Sequence, residues 1–167
     1  MDKEAARKRY YGFIGARTQG VIATVGPDGK PEAALMDIAT TPALEIIFET
    51  TNQTRKFVNL QANSRISFVI GWEDNETLQF DGVAELLSGR ALEEALKEYT
   101  SVFPQKTSHR DWPGNHYFLA RPDWVRFSSY RPPRKVEEFR FKAEEEAHLR
   151  MSWWRRLGRA PRPRMRN

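Results

Sequence analysis

The apolar positions of this chain change period along its length, and the changes divide it into elements. Over residues 2–17, Ala5, Ala6, Tyr10, Phe13 and Ile14 recur at helical spacing among charges, which predicts an opening helix that Gly20 ends. Two apolar runs follow, Val21–Val25 and Pro31–Ala39, joined by Gly26-Pro27-Asp28-Gly29. Proline presets one turn dihedral and glycine admits positive φ, so this stretch reads as a hairpin. After the turn Thr41-Pro42-Ala43, Leu44–Thr50 gives a third strand. The period then shifts. Phe57, Leu60 and Ala62 fall on one side of a short helix over Thr54–Ala62, which Thr51 or Asn52 can cap.

Arg65–Trp72 reads as the next strand and Glu73–Glu76 as its turn. Thr77–Leu87 alternates with period two through Leu78, Phe80, Gly82, Ala84 and Leu86, and a glycine inside a strand predicts a bulge or a close backbone approach. Ala91–Phe103 is an amphipathic helix that Pro104 stops, and Gln105–Asn115 is polar and turn-like. Tyr117–Ala120 and Trp124–Ser128 are strand-like pieces parted by Arg121-Pro122-Asp123, and Val136–Phe141 is a last short strand. Hairpins with helices spliced between them predict a mainly β fold with α: an antiparallel barrel of six strands with flanking helices. The expected domain spans 1–142, followed over 143–167 by a C-terminal helix (144–157) and a basic tail expected to be disordered.

Composition narrows the possible chemistry. The chain has no cysteine, which excludes a disulfide, a thiolate nucleophile and any Cys-ligated metal or cluster. No run approaches the roughly 18 apolar residues of a membrane span. The charged N-terminus lacks the apolar core of a signal peptide, so a cytoplasmic protein is expected. The net charge of +5 is unevenly spread. Residues 150–167 hold seven arginines and no acid, so subtracting them from +5 leaves −2 for the body.

The candidate chemistry centres on Thr54, Arg55 and Lys56. A helix start carries free N–H groups and partial positive charge, and these three side chains add a hydroxyl, a guanidinium and an ammonium, a seat for a phosphate dianion. The same spacing also suits a solvated surface. The segment Phe48–Trp72, with Thr50, Thr54-Arg55-Lys56, Asn63-Ser64-Arg65-Ile66-Ser67-Phe68 and Trp72, resembles the flavin-phosphate segment of the pyridoxamine 5′-phosphate oxidase family of FMN-binding split barrels. That resemblance implies FMN with its phosphate on Thr54, Arg55 and Lys56. It places Thr50 near the ribityl chain or ring edge, counts Thr51 among the cofactor-binding residues, and sets the backbone of Leu35, Met36, Asp37 and Ile38 along the isoalloxazine. Thr77 or Gln79 would reach the ribityl chain or a ring heteroatom, or else be ordinary solvent-facing strand residues. It further implies a homodimer with the flavin at the subunit interface, and an oxidoreductase supplied by a small-molecule or nicotinamide electron donor.

The chain departs from members with the oxidase activity in two respects. Ala34 stands where those members carry an arginine, and Trp124–Phe141 lacks their substrate-binding arginine and histidine. The resemblance is therefore to the shorter flavin-binding relatives, general-stress-type proteins and flavin reductases, where the flavin carries the chemistry. A deazaflavin would suit the same groove. His109, His116 and His148 form no metal-binding motif, although the split barrels that bind haem make His109 or His116 a candidate axial ligand. Trp153, Trp154 and the tail arginines would grip nucleic-acid phosphates or an anionic membrane surface, or simply aid solubility. The body has no basic face with interleaved aromatics, which argues against a nucleic-acid enzyme.

Overall fold

The computed structural model describes residues 3–141. In chain order these form α1 (Lys3–Gly15), β1 (Gln19–Val25), β2 (Pro31–Asp37), β3 (Ala39–Thr40), β4 (Ile46–Thr51), α2 (Arg55–Ala62), β5 (Arg65–Ile70), β6 (Glu76–Leu86), α3 (Gly89–Val102), β7 (Asn115–Ser129) and β8 (Lys135–Arg140). Two 310 pieces, Glu73–Asn75 and Pro104–Asp111, lie before β6 and after α3. The strands make one curled antiparallel sheet in the order β2-β1-β5-β6-β7-β4-β3, with β8 also on β7. The helix expected over 144–157 and the basic tail lie outside the described residues. No described helix is long and apolar enough to cross a membrane.

Eight strands stand where six were expected. The second apolar run breaks at Ile38, which is 1% exposed in the core, and Ala39–Thr40 then pairs separately with β4. The two pieces expected on either side of Arg121-Pro122-Asp123 fuse into the 15-residue β7. Asp81 pairs with Trp124 and Gly82 with Pro122, so Asp123 is the extra residue of a bulge, where a proline that cannot donate is tolerated. β7 lies along β6, with β4 beside its first half and β8 beside its second. A Cβ on Gly82 would run into the Arg121 carbonyl oxygen, which explains the glycine at this close approach.

The inner face of the sheet encloses the main core. Ile22, Phe48, Ile66, Phe68, Leu78, Phe80, Phe118 and Val125 meet there, and α1 adds Ala6, Tyr10 and Ile14. The outer face is covered at one end only. α3 lays Ala95, Leu96 and Tyr99 on Ile47, Tyr117 and Leu87, burying a second, smaller cluster. At the other end Val25, Leu35, Val69 and Val83 are each more than a third exposed.

Candidate functional site

Where the covered and bare ends of the outer face meet, a cavity of about 310 Å³ opens between β2 and β4. This lies within the range of about 300–1,000 Å³ typical of small-molecule sites. Leu35, Met36 and Asp37 line it from β2, and Glu49, Thr50 and Thr51 from β4. The far wall comes from Tyr99, from Lys106 and His109 of the Pro104–Asp111 segment, and from Trp112 and Asn115 beyond it.

That wall is tied to the barrel by ionic contacts. The Lys106 ammonium lies 2.7 Å from Asp37 and 3.0 Å from Glu49, so it bridges the two strands, and it donates to the Tyr99 hydroxyl at 3.3 Å. The other Glu49 oxygen accepts from Asn115 at 2.9 Å, and the Asn115 amide also donates to the His109 carbonyl at 2.9 Å. His109 Nδ1 sits 2.8 Å from Glu49 Oε1, and Trp112 stacks on the imidazole at 3.7 Å between ring centres.

Burial opposes charge on both carboxylates, but donors outweigh it. Bonds from Asn115, His109 and Lys106 hold the Glu49 carboxyl below its ordinary range, and bonds from Lys106 and Gln19 do the same for Asp37. Burial would lower Lys106, yet its bonds to Asp37 and Glu49 leave it raised. Burial, aided by the charges of Glu49 and Asp37, pushes the Tyr99 hydroxyl up. The cavity therefore sets two carboxylates, Asp37 on β2 and Glu49 on β4, against the single ammonium of Lys106.

The cationic region lies next door, at the start of α2. Thr54 caps that helix: its Oγ1 accepts from the Phe57 N–H at 3.3 Å while its hydroxyl donates to the Thr51 carbonyl at 3.0 Å. With that hydrogen spent, the Thr50 hydroxyl is the donor in its 2.8 Å contact with Thr54. The cap and the cavity wall are thus joined through Thr50 and Thr51. Arg55 has an 84% exposed side chain and only a long 3.5 Å contact to Glu32, whose other oxygen accepts from Asn59 at 3.1 Å. Lys56 is half-buried and has no ion pair among the described residues.

The expected site residues thus divide. Leu35, Met36, Asp37, Thr50 and Thr51 line the cavity, whereas Thr54, Arg55 and Lys56 do not: Thr54 reaches it through Thr50, and Arg55 and Lys56 follow Thr54 on α2. Ile38 points into the core. Thr77 and Gln79 lie on the outer face of β6, where Gln79 joins a lateral row through Val69 and Val21 to Leu35. Three strand spacings of about 4.8 Å part Gln79 from Leu35. His116 packs against Phe57, with ring centres 4.9 Å apart and planes tilted by 32°, and does not line the cavity. Glu49, Tyr99, Lys106, Trp112 and Asn115 were not foreseen. For Lys106, Trp112 and Asn115 the one signal in the sequence is a cluster of polar and aromatic residues just after a strong helix; Glu49 lies on β4 and Tyr99 within the helix itself.

The family profile for pyridoxamine 5′-phosphate oxidase matches residues 6–146. No curated protein matches the chain. Among solved structures, it resembles a haem-binding protein from Mycobacterium smegmatis at 19% identity and a TM-score of 0.71, covering 89% of this chain and 61% of that one. General Stress Protein 26 from Bacillus anthracis aligns at 19% identity and a TM-score of 0.62, covering 81% and 98%. ChuZ from Campylobacter jejuni aligns at 12% identity and a TM-score of 0.69, covering 84% and 61%. The chain therefore spans about three fifths of the mycobacterial protein it matches.

Proposed function

Because the chain belongs to the pyridoxamine 5′-phosphate oxidase family, we propose that it binds FMN and acts as an oxidoreductase fed by a nicotinamide or other small-molecule donor. One observation carries this reading: a capped helix start with two little-used cations adjoins a cavity through the 2.8 Å Thr50–Thr54 contact. The residues present fit the group. Thr54, Arg55 and Lys56 suit the phosphate, since guanidinium forks and ammonium groups grip phosphate oxygens strongly. The carboxylates of Asp37 and Glu49 disfavour the phosphate and leave the cavity to the neutral ring. Bound FMN would supply hydride chemistry; the chain orients it and shields the ring on the side of His109 and Trp112.

The functional unit in this reading is a homodimer. The bare row Leu35, Val21, Val69, Gln79 starts at the cavity rim and offers a second copy an apolar face. Across it, Thr77 and Gln79 of one protomer would approach the cavity of its partner. Visible absorption during titration with FMN tests the reading. A bound, two-banded flavin spectrum is expected, weakened at least tenfold by Arg55→Ala with Lys56→Ala; no uptake would overturn it.

A second reading, haem in the same cavity, is favoured by His109. Its Nδ1 is engaged by Glu49, which leaves Nε2 open as an axial ligand. A Soret band on haem addition that His109→Ala abolishes, with no flavin uptake, would select it.

A further inference from the structure

The donors of the cavity wall are almost all spent on each other. Lys106 has three N–H bonds to give, and they go to Asp37, Glu49 and Tyr99. The Asn115 amide has two, and they go to Glu49 and to the His109 carbonyl. His109 differs. Its Nδ1 meets a carboxylate that its donors keep ionised, and an ionised carboxylate can only accept. In the neutral form of the ring the proton is therefore on Nδ1, and Nε2 is then a bare acceptor with no partner among the described residues. Trp112, stacked at 3.7 Å, fixes the plane in which that lone pair lies.

We propose that His109 Nε2 is the specificity-determining contact of the cavity, accepting a hydrogen bond from a ring N–H on the edge of a planar heterocycle, with Glu49 as its positioning residue. This rests on the flavin reading, in which the N–H is the imide N3–H of the isoalloxazine. A ligand edge that can only accept finds no partner in Nε2. A ring N–H satisfies it, and a planar body lies along the stacked pair.

The test uses lumiflavin, which has the ring without the phosphate, and 3-methyllumiflavin, which lacks the N–H. Wild-type protein labelled with 15N-histidine is titrated with each, and affinities are compared with those of His109→Leu. Lumiflavin is expected to move the His109 Nε2 resonance and to bind about tenfold tighter than its 3-methyl form, a ratio lost in His109→Leu. An unmoved resonance, or an equal cost of methylation in both proteins, overturns the assignment even where FMN binds normally. The wild-type spectrum decides the matter if His109→Leu fails to fold. No uptake of FMN or lumiflavin overturns the flavin reading and this inference together.

Discussion

Lys106 Nζ and Asp37 Oδ2 meet at 2.7 Å, and through that contact a segment without a single buried residue is fastened to the edge strand β2. Replacing Lys106 by Met keeps the length of the side chain and leaves Asp37 and Glu49 facing each other without their shared cation. Loss of a charged bond at partly buried carboxylates should cost about 1–3 kcal/mol. Urea unfolding of the variant would show it, and an unchanged midpoint would mean that the bridge contributes nothing.

The same cluster sets a pH dependence on both sides of neutrality. Asp37 and Glu49 are held down in the folded state, so their contribution is present above the ordinary carboxylate range and is lost as pH falls through their lowered values. Lys106 is raised, so its contribution is full below its ordinary value of 10.5 and is lost as pH rises past the raised one. Wild-type protein should therefore lose more stability than Lys106→Met between pH 6 and strong acid. Parallel melting curves for the two would refute the linkage.

Thr54→Ala removes the cap of α2 and the acceptor of the Thr50 hydroxyl together. About 1 kcal/mol of stability should go, FMN affinity should fall, and Thr54→Ser should restore both. Thermal melts and flavin fluorescence read the two effects separately.

Glu32 competes for Arg55 with any phosphate at α2, though only at 3.5 Å and beside an exposed guanidinium. Glu32→Gln keeps the bond from Asn59 and removes the charge. FMN should bind roughly threefold tighter at low salt, with the gain shrinking as salt screens it. A weaker complex would show that Glu32 helps to build the site.

Val69 lies mid-row on the bare outer face and is 38% exposed. Val69→Glu should turn a dimer into a monomer in sedimentation runs while leaving circular dichroism unchanged. A wild-type protein that sediments as a monomer would remove the face from consideration.

The elements whose information is local were legible in the sequence. The hairpin at Pro27-Asp28-Gly29 forms as expected, with Gly29 at φ 79° and its N–H bonded to Gly26. The bulge or close backbone approach foreseen at Gly82 is present as both: the register shifts there with Asp123 of β7 as the extra residue, and the Arg121 carbonyl leaves no room for a side chain on residue 82. What escaped was pairing information. Nothing near Pro122 reveals that β6 will carry β7 straight through it, and nothing near Ile38 says that one apolar run will serve two strands. The cavity wall escaped for the same reason. Glu49 and His109 are 60 residues apart, and Glu49 reads locally as one polar position at the end of an apolar strand.

The Pro104–Asp111 segment contributes no buried residue to either hydrophobic cluster, yet it supplies Lys106 and His109 to the cavity. Apart from the Lys106 bridge, stability and ligand choice are thereby written in different parts of the chain. Substitutions at the other positions of the segment spare both cores, so a lineage could acquire a new ligand by rewriting one short stretch, and laboratory selection for altered ligand preference should begin there with Lys106 kept.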